Sequence, residues 1–346
     1  MSNESRFIRA CKRKPTDCTP VWFMRQAGRY LPEYRKLREK YSMLEMVRNP
    51  EVAAEVTLQP LQRFDLDAAI IFADILLPLP LIGVDFSFVE GVGPRIHNPL
   101  RDSRNVEKLR DGEPEEDLHF VAETISLVRD KLDSDKALIG FAGAPFTLAS
   151  YIIEGGHSRN YLETKAFMYG FPDQWDILMG VLTRITIKYL EMQVNAGAQA
   201  IQLFDSWVGA LSQEDYIQYV KPYTSRIFSA LTPCSVPLIH FGTGTSGYLR
   251  EMRSAGGTVQ SVDWRIPLGR AWEIIGFESA IQGNLDPLAM MAPAGVLKQK
   301  VEEVLEQAGA REGHIFNLGH GFLPQTPIAN VDLVVNLVHK LSSDSR

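Results

Sequence analysis

Two arginines, Arg25 and Arg29, flank a Gln-Ala-Gly stretch in PVWFMRQAGRYLPEYR, which spans residues 20–35. An apolar run precedes them, and no acidic residue follows them before Glu33. A guanidinium presents several N–H donors in a fork that matches the oxygens of a carboxylate or phosphate. A solvated surface arginine is the ordinary alternative. The position of this pair after an apolar run and around Gly28 instead predicts a loop that binds an anionic ligand.

Asp74 is a single carboxylate inside the apolar stretch AAIIFADILLPLPLIGV, residues 68–84. Burying a carboxylate is costly unless it is paired or hydrogen bonded, so an acid in such a run has either a structural or a catalytic task. A helix cap or a hydrogen-bond acceptor in the core is the structural alternative. The stretch is short for a membrane span and carries two prolines besides Asp74, so it predicts a buried strand that runs into a loop.

Further polar side chains follow apolar runs elsewhere in the chain. These candidates are Tyr151 after GAPFTLAS, Asp205 and Ser206 in FDSW, His240, Asp263, Asn284, and His320 in NLGHG. Each also has a structural explanation, because Asp, Ser and Asn cap helices and turns, tyrosine packs in cores, and a histidine between glycines fits a tight turn. A common location in the fold would favour a binding or catalytic role.

The elements that must position these side chains alternate between strands and helices. Eight short apolar runs predict strands: VWFMR (21–25), AAIIFAD (68–74), ALIGFAG (137–143), AIQLFDS (200–206), PLIHFGT (237–243), VQSVDW (259–264), AIQGNLD (280–286) and HIFNLGHG (314–321). Helices are predicted between them at 50–63, 118–132, 173–196, 213–230, 246–255, 268–275 and 294–309. Eight such units indicate an α/β protein with a parallel sheet, the (β/α)8 TIM barrel.

The whole chain, residues 1–346, is predicted to form a single TIM-barrel domain, because no break in composition marks a linker. The segment 86–99 alternates like a hairpin, and 101–117 reads as a charged connection. TIM barrels carry out their chemistry at the carboxyl ends of the strands. We therefore expect the polar candidates above to lie together at that end.

Composition excludes several classes of protein. A hydrophobic content of 45% and a charged content of 23% are ordinary for a globular enzyme, and a net charge of -6 argues against nucleic-acid binding. Cys11, Cys18 and Cys234 form no CxxC pair, which argues against a disulfide framework and a cysteine zinc site and fits a cytoplasmic location. The N-terminal sequence MSNESRFIRACKRK lacks the apolar core of a signal peptide, so neither export nor a membrane partner is predicted.

Motifs for metals and cofactors are weak or missing in this sequence. The zinc motifs HxH and HExxH and the nucleophile elbow GxSxG do not occur. GTGTSG at 242–247 matches the GxGxxG pattern, with Asp263 in the place of a ribose-binding acid. Its strand is the fifth of a barrel series, however, so these glycines are expected to form a βα loop. The sequence thus predicts no metal and no cofactor, and an anionic substrate that brings its own electron sink.

Six blocks in order, RQAGRYLPEYR, LQPLQRF, IFADIL, GAPFTLASYIIEGG, FDSW and NLGHGFLPQTP, resemble the uroporphyrinogen decarboxylase family over nearly the whole chain. The resemblance implies a single-domain TIM barrel, usually a homodimer, that acts in haem and chlorophyll biosynthesis. It implies the conversion of uroporphyrinogen III to coproporphyrinogen III by decarboxylation of four acetate side chains. No cofactor is then required, because the protonated pyrrole ring serves as the electron sink.

The resemblance also implies roles for individual residues. Asp74 would accept hydrogen bonds from the pyrrole N–H groups and stabilise positive charge on the ring. Arg25 would bind a carboxylate and is a candidate proton donor; water or a substrate carboxylic acid competes for that role, because a guanidinium has a pKa above about 12. Tyr151 would bind the reacting acetate or steady Asp74. The remaining implied substrate-binding residues are Gln26, Ala27, Gly28, Arg29, Ser206 and His320.

Two other functions fit parts of the same pattern. Cobalamin-linked methyltransferases share the barrel but bind zinc through a His-x-Cys pair and a later cysteine, whereas this chain has HFG at 240–242 and no cysteine after Cys234. A non-catalytic tetrapyrrole carrier would keep the arginines but would not require Asp74. Trp207 stands where some members of the decarboxylase family carry a smaller or polar residue, and this difference would alter the lining of the pocket.

Overall fold

A computed structural model describes residues 4–89 and 91–343 of the chain. Its strands are β1 (Ala68–Ile70), β2 (Phe86–Val89), β3 (Gly93–Ile96), β4 (Ala137–Gly143), β5 (Ala200–Asp205), β6 (Leu238–Gly242), β7 (Val259–Ser261), β8 (Ala280–Leu285) and β9 (His314–Leu318). Strands β1, β4, β5, β6, β7, β8 and β9 pair in that order as one parallel sheet, while β2 and β3 form the predicted antiparallel hairpin.

Helices follow the strands and cover the sheet. They are α1 (Arg6–Cys11), α2 (Pro32–Arg38), α3 (Met43–Arg48), α4 (Pro50–Arg63), α5 (Pro114–Asp117), α6 (His119–Lys131), α7 (Pro145–Glu154), α8 (Leu162–Gly170), α9 (Pro172–Asn195), α10 (Gln213–Tyr219), α11 (Lys221–Leu231), α12 (Leu249–Ala255), α13 (Leu268–Ile275), α14 (Ala294–Ala308) and α15 (Ile328–Ser343). In the described part of the chain, no helix has the length and apolar character to cross a membrane.

The segment around Val21 lies between the last strand of the sheet and the first. Val21 forms a parallel bridge with Phe316 in β9, and the Phe316 N–H donates to Pro20 O at 2.8 Å. On the other side, the Asp67 N–H donates to Val21 O at 2.9 Å. The curled sheet of seven strands and this bridging segment give the TIM-barrel-like fold that the sequence predicts.

The prediction of a regular strand at 21–25 was wrong, because only Val21 forms a bridge to the sheet. The Phe23 N–H donates to the side-chain oxygen of Gln26 at 3.1 Å, and the Met24 N–H donates to the side-chain oxygen of Asn317 at 3.1 Å. Because side chains satisfy these two backbone donors, no strand ladder continues here. The chain turns at this point into the loop that carries the two arginines.

Five helices agree with their predicted bounds to within one residue at each end: α4, α6, α9, α13 and α14. The single helix predicted at 213–230 is instead the pair α10 and α11. Pro222, in the first turn of α11, has no N–H to continue the preceding helix, so the helix ends and a new one begins.

A polar layer crosses the interior of the barrel. The indole N–H of Trp22 donates to the side-chain oxygen of Gln282 at 2.9 Å, and the Gln282 amide donates to Gln202 and Ser261 at 3.0 and 2.9 Å. All four residues are buried. The bond from Gln282 to Gln202 links β8 to β5, which are not neighbours in the sheet, and the layer forms the floor beneath the carboxyl ends of the strands.

Candidate active site

The arginine loop is held in an unusual backbone conformation. Arg25 has a φ of 59°, in the left-handed region that costs a non-glycine residue about 1–2 kcal/mol. The buried Gln26 holds the loop in place. Its side-chain amide donates to Ala68 O at 3.0 Å, and its backbone carbonyl accepts the Tyr30 hydroxyl at 2.8 Å. The backbone N–H of Gln26 donates to Phe23 O at 3.1 Å. Gln26 therefore positions the loop through bonds within the protein.

The guanidinium groups of Arg25 and Arg29 make no hydrogen bond or ion pair within residues 4–89 and 91–343, and both arginines are exposed. Arg25 acts electrostatically on Asp74 and on Tyr151. Arg29 instead acts on Tyr34, opposing the burial that raises the pKa of that phenol. The charge of Arg25 thus acts on the polar cluster, whereas the charge of Arg29 acts on Tyr34.

Asp74 lies just beyond the carboxyl end of β1. Its Oδ1 accepts the Leu76 N–H at 2.9 Å, the two-residue spacing of an Asx turn. Burial raises the pKa of Asp74, while the hydrogen bond from Leu76 and the charge of Arg25 oppose that rise. The second carboxylate oxygen has no protein partner among the described residues. Asp74 can therefore accept a further hydrogen bond from a ligand.

Tyr151 projects from a helix that is apolar on nearly every side. Eight of the ten residues of α7 are buried, and the other two are Tyr151 and Glu154. The helix ends where Gly155 adopts a left-handed φ of 87°, as helix ends often do. Burial and the nearby charge of Asp74 raise the pKa of Tyr151, so its hydroxyl is protonated at neutral pH. It can donate a hydrogen bond to a carboxylate.

Asp205 is the last residue of β5, Ser206 follows it, and the two have different surroundings. Asp205 is completely buried; its Oδ1 accepts the Thr147 hydroxyl at 3.1 Å, and its Oδ2 has no hydrogen-bond partner among the described residues. Burial raises the pKa of Asp205 to about 7, although the Thr147 hydrogen bond opposes this. Ser206 is half-buried, and its carbonyl accepts the Thr243 hydroxyl at 2.5 Å. The Ser206 hydroxyl makes no bond in the described part of the chain, which leaves it open to a ligand.

His320 follows β9 and is neutral. Burial, with the charges of Arg25 and Arg265, lowers its pKa to about 4, and Asp263 opposes this shift. The Gly321 N–H donates to His320 Nδ1 at 2.6 Å, so the single proton of the neutral ring lies on Nε2. His320 therefore offers a ligand one N–H donor and no positive charge.

His240 lies in the interior rather than at the site. Its side chain is fully buried, and its Nδ1 lies 3.2 Å from Met252 O in α12. Burial lowers the pKa of His240 to about 4, so the ring is neutral. His240 is therefore a packed strand histidine.

Asp263 and Asn284 join the loops at the barrel mouth. The Asp263 carboxylate accepts the Gly244 N–H at 2.7 Å and forms an ion pair with Arg265, and the Asn284 amide donates to Asp263 O at 2.9 Å. The carboxylate that a dinucleotide site would use for a ribose is thus already bonded within the protein. The loop at 242–247 serves as a βα connection, as the sequence predicts.

The geometry is that of a barrel mouth with one exposed cation, one half-buried acid and neutral donors. A model of the family uroporphyrinogen decarboxylase (URO-D) matches residues 2–341. The chain belongs to this family. It is 55% identical over 336 residues to the uroporphyrinogen decarboxylase of Sorangium cellulosum, covering 97% of this chain and 96% of the relative. It is 53% identical over 336 residues to a uroporphyrinogen decarboxylase of Thermus thermophilus, covering 97% and 98%.

Solved structures extend the likeness beyond the uroporphyrinogen decarboxylase family. A methyltransferase from Methanosarcina mazei superposes with a TM-score of 0.82 and 21% identity, covering 97% of this chain and 98% of that one. At this identity the likeness shows a shared fold. Within residues 4–89 and 91–343, no three His, Cys, Asp or Glu side chains are grouped to hold a metal ion.

Sequence reasoning missed two groups that shape the site. One is Gly321, whose backbone lies against the Arg25 side chain. The other is Thr147, which precedes Tyr151 by one helical turn and bonds Asp205. A threonine in an apolar helix and a glycine in a loop carry little signal in one sequence. Their partners are distant in the chain and become visible only in the fold.

Proposed function

We propose that this protein removes the carboxyl groups of the four acetate side chains of uroporphyrinogen III, giving coproporphyrinogen III and four molecules of carbon dioxide. The observation that carries the proposal is the electrostatic grouping of Arg25, Asp74 and Tyr151 at the carboxyl ends of the strands. Family membership supports the same reaction. We propose that the pyrrole ring of the substrate serves as the electron sink and that no cofactor takes part.

Asp74 would bind the centre of the substrate. Pyrrole N–H groups are donors, and the free oxygen of Asp74 is an acceptor that Leu76 holds in place. When the ring is protonated, the carboxylate would stabilise the positive charge that develops, and such fixed charges contribute strongly to catalysis. This role requires an ionised carboxylate, which Arg25 favours and burial disfavours.

The acetate and propionate carboxylates of the substrate would meet the donors around the mouth. Arg25 offers a charged fork, Tyr151 a protonated hydroxyl, Ser206 a free hydroxyl and His320 an Nε2–H. In this proposal Arg29 binds a peripheral carboxylate at the rim, because it is exposed and unpaired in the described residues. Ala27 and Gly28 complete the loop beside Gln26, which acts by holding it.

The chemical steps follow from these groups. A proton added to the pyrrole ring makes a cation that accepts the electron pair of the acetate carbon–carbon bond as carbon dioxide leaves. A second proton then reaches the former acetate carbon, and loss of the ring proton restores the pyrrole with a methyl group. Arg25 is one candidate donor; a water or substrate carboxylic acid that Arg25 binds is the other, because a guanidinium releases its proton with difficulty.

We further propose that the protein is a cytoplasmic homodimer. Its three cysteines are free thiols, as a reducing compartment favours. Leu288, Met291 and Val296 follow β8 and are exposed, with 63%, 44% and 49% of their surface accessible. A second copy of the chain would cover such apolar side chains. Sedimentation of the wild-type protein against Leu288→Glu tests this; monomeric wild-type protein would overturn it.

The reaction itself is tested with purified, chelator-treated protein and uroporphyrinogen III under anaerobic conditions. The products are oxidised and separated by their number of carboxyl groups. We expect stepwise conversion from eight carboxyl groups to four. Unchanged substrate beside an active reference enzyme would overturn the decarboxylase. A protein that binds the substrate and leaves it unchanged would instead be a carrier.

A further inference from the structure

The ring of Tyr151 is held by aromatic contacts. It stacks on the indole of Trp207, with ring centroids 3.9 Å apart and planes inclined by 29°. Tyr161 meets the same indole edge-on at 5.4 Å, and His157 meets it at 6.1 Å. The Tyr151 hydroxyl has no hydrogen-bond partner within residues 4–89 and 91–343. The direction in which this hydroxyl points therefore depends on the position of Trp207.

Thr147 fixes the backbone of Trp207. Its hydroxyl accepts the Trp207 N–H at 3.3 Å and donates to Asp205 Oδ1 at 3.1 Å. Thr147 and Asp205 have no exposed surface. Because Thr147 precedes Tyr151 by four residues, the two side chains lie on the same side of α7. The helix that carries Tyr151 is thus bonded to the strand end that carries Trp207.

The next residue in this strand end is tied as well. Ser206 O accepts the Thr243 hydroxyl at 2.5 Å, from the loop after β6. Asp205, Ser206 and Trp207 are therefore each anchored by a threonine hydroxyl. Because these hydrogen bonds fix the backbone of Trp207, its indole gives the Tyr151 ring a rigid surface on which to stack.

We propose that Trp207 and Thr147 are positioning residues that aim the Tyr151 hydroxyl at the reacting acetate, with Asp205 anchoring Thr147. This inference rests on the proposed decarboxylase function. Tilting the Tyr151 ring would carry its hydroxyl along an arc, and a displacement of about 1 Å at a reacting group can cost about 100-fold in rate. Losing the support should therefore lower kcat more than it changes KM.

The first test compares Trp207→Leu with Trp207→Phe in the anaerobic assay, using the rate of the first decarboxylation. Trp207→Phe retains a ring for the stack and should stay within about threefold of wild type, whereas Trp207→Leu should lose about tenfold or more in kcat with KM changed less than about threefold. Wild-type kcat in folded Trp207→Leu would overturn the inference while leaving the decarboxylase intact. An inactive wild-type protein would instead overturn the proposed function.

A double-mutant cycle separates positioning from a general structural effect. Tyr151→Phe removes the hydroxyl and keeps the ring. If Trp207 acts through that hydroxyl, Trp207→Leu should cost less than about twofold further in the Tyr151→Phe background. Losses that multiply in the double variant would show that Trp207 acts independently of the hydroxyl and would contradict the inference.

Variants of Thr147 test the same positioning role independently, including the case in which Trp207→Leu does not fold. Thr147→Val keeps the shape of the side chain but removes both hydrogen bonds, and Thr147→Ser keeps the hydroxyl. We expect Thr147→Val to lower kcat by about tenfold and Thr147→Ser to restore it to within about threefold of wild type. Equal kcat in the two variants would contradict the role of Thr147.

Discussion

Gly321 lies directly against the side chain of Arg25. A Cβ on residue 321 would approach Arg25 Cδ to 2.4 Å and Cγ to 2.6 Å, closer than carbon atoms pack. The same glycine donates its N–H to His320 Nδ1. One small residue in the loop after β9 thus leaves room for the cation and fixes the tautomer of the neighbouring histidine.

Gly321→Ala is expected to displace Arg25 and to lower kcat/KM by about 10- to 100-fold, because misplaced binding groups lose much of their effect on rate. The fold should survive, since Arg25 is exposed and can move outward. Gly295→Ala is the matched control, because a Cβ there meets no atom within 4 Å. Equal activity of the two variants would refute this role for Gly321.

Asp67 joins three segments at the junction between β1 and the segment around Val21. The buried carboxylate accepts the Val21 N–H at 2.7 Å, binds Arg6 at 2.5 Å and lies 2.8 Å from His339 in α15. Asp67→Ala leaves the buried Val21 N–H without its acceptor and removes one partner from Arg6 and one from His339. It should lower the free energy of unfolding by about 1–3 kcal/mol.

Asp17, the other carboxylate that binds Arg6, provides the control for Asp67→Ala. Asp17 also binds Arg6, at 2.6 Å, but its side chain is 70% exposed. Asp17→Ala should cost less than about 1 kcal/mol, since water screens an exposed pair. Denaturant unfolding of both variants checks the comparison, and similar losses would count against the buried network.

His320 should remain neutral near neutral pH. Its pKa is lowered from 6.5 to about 4, so the folded state binds fewer protons than the unfolded state between these values. This histidine therefore contributes stability that is lost as the pH falls below about 6.5. NMR titration of the imidazole, assigned with His320→Gln, should show no ionisation between about pH 5.5 and about pH 7.5. A midpoint near 6.5 would contradict the buried, neutral ring.

Arg25 should control the ionisation of Asp74. Its charge opposes the burial that raises the pKa of Asp74, so Arg25→Met should raise that pKa further. The acid limb of the pH profile of kcat/KM should then move to higher pH, in addition to an overall loss of rate. Arg29→Met is the control, because Arg29 acts on Tyr34 and should leave the limb in place. The same acid limb in both variants would contradict this coupling.

The strands and helices of the barrel can be predicted from the sequence because the patterns that indicate them lie within short segments of the chain. Apolar runs such as ALIGFAG recur between helical stretches, and β4 occupies the predicted residues 137–143. The error at 21–25 has a physical cause, since Gln26 and Asn317 take the backbone donors that a strand would use. Nothing in the local pattern indicates that a residue 293 positions away supplies one of these acceptors.

Part of the candidate site can be predicted from local sequence patterns, and part of it depends on contacts between distant segments. Asp74 stands out as a charge in an apolar run, and in the structure the charge of Arg25 acts on its pKa. The stack of Tyr151 on Trp207 joins α7 to the end of β5, so it depends on the way the chain folds back. The role of Arg29 at the rim stays a prediction; its charge acts on the pKa of Tyr34.

The central claim is that the Asp74 carboxylate stabilises the protonated pyrrole. Single-turnover decarboxylation and substrate binding by Asp74→Asn test it most directly, with Asp111→Asn as a control at an exposed ion pair with Arg184. We predict that Asp74→Asn binds uroporphyrinogen III within about threefold of wild type and loses about 100-fold or more in rate, while the control retains both. Turnover by Asp74→Asn at the wild-type rate would contradict the mechanism.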